Sequence, residues 1–182
     1  IACLNFASFV ITVIDVSKGV KLLDELETYY GENEDETNET QRLIKGEIAH
    51  LRAITEFNDI GKMASGLKDA YNLLDGKSQI ASTKKLVTLG SISFLFSYYV
   101  EAGKLRETAE GIHENYKYYD LLADGCGRGA AELVLSEYYL ELLDLKKAYV
   151  YAKKALYRAK KNPQLDIILL SNFVLSRIAL YE

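Results

Sequence analysis

One proline and no tryptophan occur in 182 residues. With so few helix breakers, and with long runs rich in Leu, Ala, Glu and Lys, the chain reads as all-α. Cys3 and Cys126 are the two cysteines, and His50 and His113 the two histidines. None has metal-type spacing, and a reduced, cytoplasmic protein is the simplest reading. No nucleophile–base set stands out, so an enzyme is not expected. The phosphate-binding pattern G-x-x-x-x-G-K-[ST] is absent, and no helix-turn-helix is recognisable at the end. The apolar start, 1–14, is too short for a membrane span and lacks a basic flank, so it reads as a buried first helix. Neither charge sign dominates: the net charge is -4, and Glu32, Glu34, Asp35, Glu36 and Glu39 share one short segment. The remainder is near neutral, which argues against a nucleic-acid surface over the whole chain.

What is present is helical periodicity. Nine helices are expected, at 1–13, 16–30, 40–57, 60–74, 86–101, 105–122, 130–143, 145–161 and 164 to the end. Asp15 or Ser17 caps the second helix, and Asn162-Pro163 closes the eighth. Polar connectors fall at 32–41 and 77–86, and a glycine-rich turn, Gly125 to Gly129, precedes the seventh helix. The fourth helix carries Ile60, Met63, Leu67, Ala70, Tyr71 and Leu74. The eighth carries Leu145, Ala148, Ala152, Ala155, Leu156 and Ala159 at the same offsets, and the second and sixth follow more weakly from Val16 and Leu105. These starts are spaced by 44, 45 and 40 residues, and Tyr98-Tyr99 and Tyr138-Tyr139 also recur at 40. A two-helix unit repeated at this period implies an α-solenoid.

The last complete unit resembles a tetratricopeptide repeat: an aromatic pair late in the first helix, small residues at Ala148, Ala152 and Ala155, then Pro163. The expected fold is all-α, a right-handed solenoid of about four antiparallel helix pairs plus a final helix. It spans 1–182 as one domain. Both ends stop inside helical patterns, so the chain is expected to be a fragment of a larger multidomain protein.

Residues 46–76 carry a second likeness. Gly46-Glu47-Ile48-Ala49-His50-Leu51, Phe57-Asn58-Asp59-Ile60 and Ala70-Tyr71-Asn72-Leu73-Leu74-Asp75-Gly76 resemble a recurrent stretch of large LuxR-family, ATP-dependent transcriptional regulators of the maltose-regulon-activator type. The likeness continues through Leu89-Gly90-Ser91, Tyr118-Tyr119, Gly125 to Gly129 and Lys154 to Ala159. It implies the effector- or partner-binding helical module of such a regulator. A small-molecule inducer or a regulatory protein would sit in its groove. ATP would belong to an absent domain, with no cofactor in this one, and DNA would be bound only through an absent C-terminal domain. The alternative is a stand-alone tetratricopeptide-like adaptor for peptides.

By analogy with the repeat layout, the first helix of each pair lines the groove. That places Lys45, Ile48, Arg52 and Thr55 there, with Gly90, Ser93, Ser97 and Val100, and with Ala130, Leu133, Glu137 and Leu140. Lys45, Arg52, Ser93, Ser97 and Glu137 are the polar candidates. Arg52 and Glu137 either fix a polar ligand or make ordinary surface charges and inter-repeat ion pairs. The tyrosines either stack on a sugar or pack between helices. The lysines of the eighth helix form a stripe, either a DNA-backbone patch or a solvated outer face. His50 reads as a packing or groove-edge residue, and Glu47 and Glu132 as carboxylates favoured by a helix N-terminus.

Overall fold

The computed structural model describes residues 1–31, 39–81 and 91–181. The described residues contain eight α-helices and no strand, so the chain is all-α. They divide into two compact units, 1–81 and 82–182.

In the first unit α1 (Ala2–Phe9) runs into a π-helical turn, Val10–Ile14, and Asp15 then adopts an extended backbone. The Asp15 carboxylate accepts the Lys18 N–H and so caps α2 (Val16–Gly31). A Cβ on Gly19 would lie 2.2 Å from the Ile11 side chain, so glycine is what lets α2 approach the π-helical turn. α3 (Glu39–Thr55) and α4 (Ile60–Leu74) form a close pair. Gly66 faces Ala53, and Gly46 faces Leu74, at distances no larger residue would tolerate unmoved. Asp59 caps α4 by accepting the Lys62 N–H, and Asp75 ends it in the left-handed conformation. Leu4, Ala7, Ile11, Leu23, Ile48, Leu51 and Ile80 make the core.

In the second unit α5 (Leu105–Leu122), α6 (Ala130–Glu141), α7 (Leu145–Lys161) and α8 (Leu165–Ala179) pack in succession. α8 also touches α6. Ala148, Ala152, Ala155 and Ala159 are all buried, forming the inner face of α7. The Tyr139 ring stacks on that of Tyr151 at 5.5 Å, which joins α6 to α7. α6 begins at Gly129, whose φ of 98° suits only glycine and whose Cβ would meet the Ala155 carbonyl at 2.6 Å. Asn162 is extended, as a residue before proline must be.

One expected helix is corrected. Residues 86–101 were expected to form the fifth helix, but within the described part, 91–101, only a 3-10 turn at Leu95–Ser97 forms. Ser91 and Ser93 explain it. The Ser91 hydroxyl donates to the Ser93 carbonyl and accepts the Ser93 N–H, while the Ser93 hydroxyl accepts the Phe96 N–H. Such local side-chain bonds compete with a helical ladder. The rest of that segment, and most of the expected acidic connector 32–41, lie outside the described residues.

Candidate functional site

The polar groove candidates fall in two places. Lys45 and Arg52 belong to α3 in the first unit. Lys45 is exposed. Arg52 is clasped to α2: its Nε donates to Glu27 Oε1 at 3.0 Å, and its Nη2 to Glu27 Oε2 at 2.6 Å and to Asp24. Glu27, working against partial burial and joined by Asp24, pushes the guanidinium pKa up. This bidentate pair ties α2 to α3.

Ser93, Ser97 and Glu137 come together in the second unit. Glu137 is 3% exposed, projecting from α6 into the 93–97 turn. Its Oε1 accepts the Phe94 N–H at 3.0 Å; its Oε2 accepts the Leu95 N–H at 2.6 Å and the Ser93 hydroxyl at 3.2 Å. Ser97 donates back to the Ser93 carbonyl. Burial pushes the Glu137 carboxyl up, and the three donors only partly offset it. Glu137 therefore holds a turn in place; it does not face an open groove. Ile48, Ala130, Leu133 and Leu140, expected beside these residues in the groove, are likewise buried in the core. Gly90 lies outside the described residues.

The largest departure from expectation is in α3. Glu47 lies mid-helix and 2% exposed, away from the helix N-terminus. Its Oε2 accepts the Ser78 hydroxyl at 2.5 Å and its Oε1 the Gln79 N–H at 2.6 Å. The His50 Nδ1 is 3.2 Å from the Ser78 hydroxyl oxygen and 3.9 Å from Glu47. Burial pushes the Glu47 carboxyl up, but His50, Ser78 and the Gln79 amide together hold it below the ordinary glutamate value. Serine, histidine and glutamate also make up hydrolytic triads, where the serine proton passes to the imidazole. Here the Ser78 proton goes to Glu47, and its oxygen receives the Ile80 and Ala81 N–H groups. That wiring makes a clamp holding 78–81 against α3. The signal for it was in the sequence: Glu47 and His50 share the apolar stripe with Ile44, Ile48 and Leu51.

Beside this clamp is a cavity of about 220 Å³ lined by Leu4, Leu43, Ile44, Leu74, Glu47 and Lys77, among others. Its walls are chiefly apolar, so it suits a small hydrocarbon group better than a sugar.

The tyrosines pack. Tyr98 and Tyr116 are buried with their hydroxyls 3.0 Å apart, and Phe94 stands edge-on to both rings. Glu132, in the first turn of α6, receives Arg158 at 2.8 Å, and Arg158 also reaches Asp120, which Arg128 contacts from the glycine-rich turn. Among the described residues no group of three His, Cys, Asp or Glu could hold a metal ion, and no helix is long and apolar enough to cross a membrane. No protein family, curated protein or solved structure matches the chain.

Proposed function

We infer that this chain is the effector- or partner-binding helical-repeat module of a LuxR-type, ATP-dependent transcriptional regulator acting in the cytoplasm. The observation that carries this reading is the contact pattern of α6, α7 and α8. α8 rests on both α7 and α6, as the first helix of a following pair rests on the pair before it in a tetratricopeptide-like solenoid. The inner alanines of α7 add the small-residue crossing that such pairs use. Neither feature speaks to transcription, and that part of the reading rests on the resemblance at 46–76.

The proposed mechanism is conformational. An inducer or regulatory protein that binds one arrangement of the helices better than another shifts the equilibrium of the switch. Differential binding of about 1–3 kcal/mol is enough for a roughly 5–150-fold response. ATP and DNA belong to domains outside these residues. The full gene tests the assignment: a P-loop before this region and a helix-turn-helix after it are expected, and a reading frame with neither refutes it. Thermal-shift screening of the 182-residue chain against sugars and other metabolites tests the effector role. Stabilisation by one compound class supports an inducer; stabilisation only by a co-purifying protein supports partner docking.

A further inference from the structure

The inner face of α7 is buried alanine, and its outer face follows a strict seven-residue register. Lys146, Lys153 and Lys160 form one exposed row, and Lys147, Lys154 and Lys161 form another. At 100° per residue the two rows lie on either side of Val150 and Tyr157, themselves one heptad apart. Val150 is 44% exposed and Tyr157 63%. The arc is centred opposite the buried alanines. The helix 145–161 contains seven basic residues and no acidic one.

A solvated helix face has no need of a register. A strict heptad matters when a second helix must stay on one stripe, because a straight helix drifts by about 20° per heptad and a left-handed crossing removes the drift. One lysine row is already ordered. Lys147 lies over the Tyr139 ring, Lys154 over Tyr151 and Lys161 over Tyr157, at 4.9, 5.1 and 4.5 Å from the ring centres. These cation–π contacts restrict the side chains before any partner arrives, which lowers the entropy lost on binding. In the other row Lys146 acts on the Asp144 carboxylate through space, and among the described residues Lys153 and Lys160 form no ion pair.

We propose that the outer face of α7 docks an acidic amphipathic helix, with apolar residues at heptad spacing flanked on both sides by Glu or Asp. Its apolar stripe covers Val150 and Tyr157, and its carboxylates meet a lysine row on each side, about 10.5 Å apart along the axis. Charge complementarity and the apolar ridge decide between partners. A nucleic-acid backbone would place phosphates where the ridge stands. A membrane would have few apolar side chains to receive, Tyr149, Val150 and Tyr157, on a helix whose other face is fixed in the core. The outer face of α7 plays no part in the helix packing or in the resemblance at 46–76 on which the proposed function rests, so this inference survives if that reading fails.

The test is fluorescence anisotropy of the full chain with a labelled synthetic peptide of about three heptads, Leu at every seventh position and Glu on both flanks. A control peptide of equal composition has its register scrambled. Micromolar binding of the registered peptide is expected, at least about tenfold tighter than the control. The triple variant Lys146→Glu, Lys153→Glu, Lys160→Glu should abolish most of it. Val150→Ser with Tyr157→Ser should weaken it while leaving the salt dependence in place. All these positions are exposed, and an unchanged circular dichroism spectrum confirms folding. Equal binding of the two peptides overturns the proposal. So does tighter binding of duplex DNA or of phosphatidylserine vesicles than of the registered peptide.

Discussion

Replacing Glu137 by alanine should release the 93–97 turn from α6. The carboxylate accepts two buried backbone N–H groups, from Phe94 and Leu95, and the Ser93 hydroxyl. A buried donor left without an acceptor costs about 1–3 kcal/mol. Stranding two gives roughly 2–6 kcal/mol, and removing a buried charge that is itself costly takes back part of this. A net local loss of about 3 kcal/mol corresponds to a roughly hundredfold fall in amide protection. Hydrogen exchange read at amides 94 and 95 is the assay, because global unfolding would blur a local release. Glu137→Gln keeps one acceptor oxygen and sets an NH2 against the other donor, so a loss of roughly tenfold is expected. The charge adds a pH signature. Burial raises the Glu137 carboxyl above its ordinary value of 4.5, so the protonated form is favoured in the fold. Its contribution is fully present below 4.5 and is lost as pH rises through the raised value. Protection at 94 and 95 should therefore improve on mild acidification in the native chain and not in Glu137→Gln. Unchanged exchange at both amides in a folded Glu137→Ala chain would refute the reasoning.

Glu47 should behave in the opposite sense. Its carboxyl is held below 4.5, so its contribution is present above that value and is lost as pH falls through the lowered one; protection of the Gln79 amide should collapse on acidification, and earlier in Ser78→Ala. Gly129→Ala forces a left-handed alanine at φ 98° and a contact 2.6 Å from the Ala155 carbonyl, and chemical denaturation should register a loss of about 2 kcal/mol or more. Asn115 is 1% exposed, and neither amide atom has a protein partner. Asn115→Leu should raise the Tm in a thermal melt, since an apolar group of similar shape removes an unsatisfied pair; a lower Tm would count against this account of the site.

Helix pattern was legible where its causes are local. The bounds of α4, α5 and α7 match those expected from apolar spacing and from Asn162-Pro163, while Asp59 and Asp144 emerge as caps only in the structure. The failure at 86–101 also has a local cause in its described part, the serines at 91 and 93, but periodicity outweighed it. The candidate site was harder to read because its partners are distant in sequence. Glu47 meets Ser78 31 residues away, and Glu137 meets Leu95 at a separation of 42. A glutamate on a helix looks the same in sequence whether it faces water or a loop backbone.

The two buried glutamates point to one structural logic. Each sits among apolar neighbours on a helix, where an unpaired carboxylate would be costly to bury. Each is satisfied by donors of a segment outside the α-helices: the Ser78 hydroxyl and Gln79 N–H for Glu47, and the Phe94 and Leu95 N–H groups with the Ser93 hydroxyl for Glu137. The acid needs the loop's donors, and the loop needs the acid's oxygens. A segment that reads as a connector, 78–81, and one that reads as a helix, 93–95, are thus both fixed against the core by a buried glutamate. The sites free to meet a partner are then elsewhere, on surfaces whose charges are not consumed internally. Lys153 and Lys160 of α7 fit that description, whereas Lys147 is paired with Asp144, Lys154 and Lys161 lie over tyrosine rings, and Arg52 and Glu137, the strongest candidates by sequence, are already engaged.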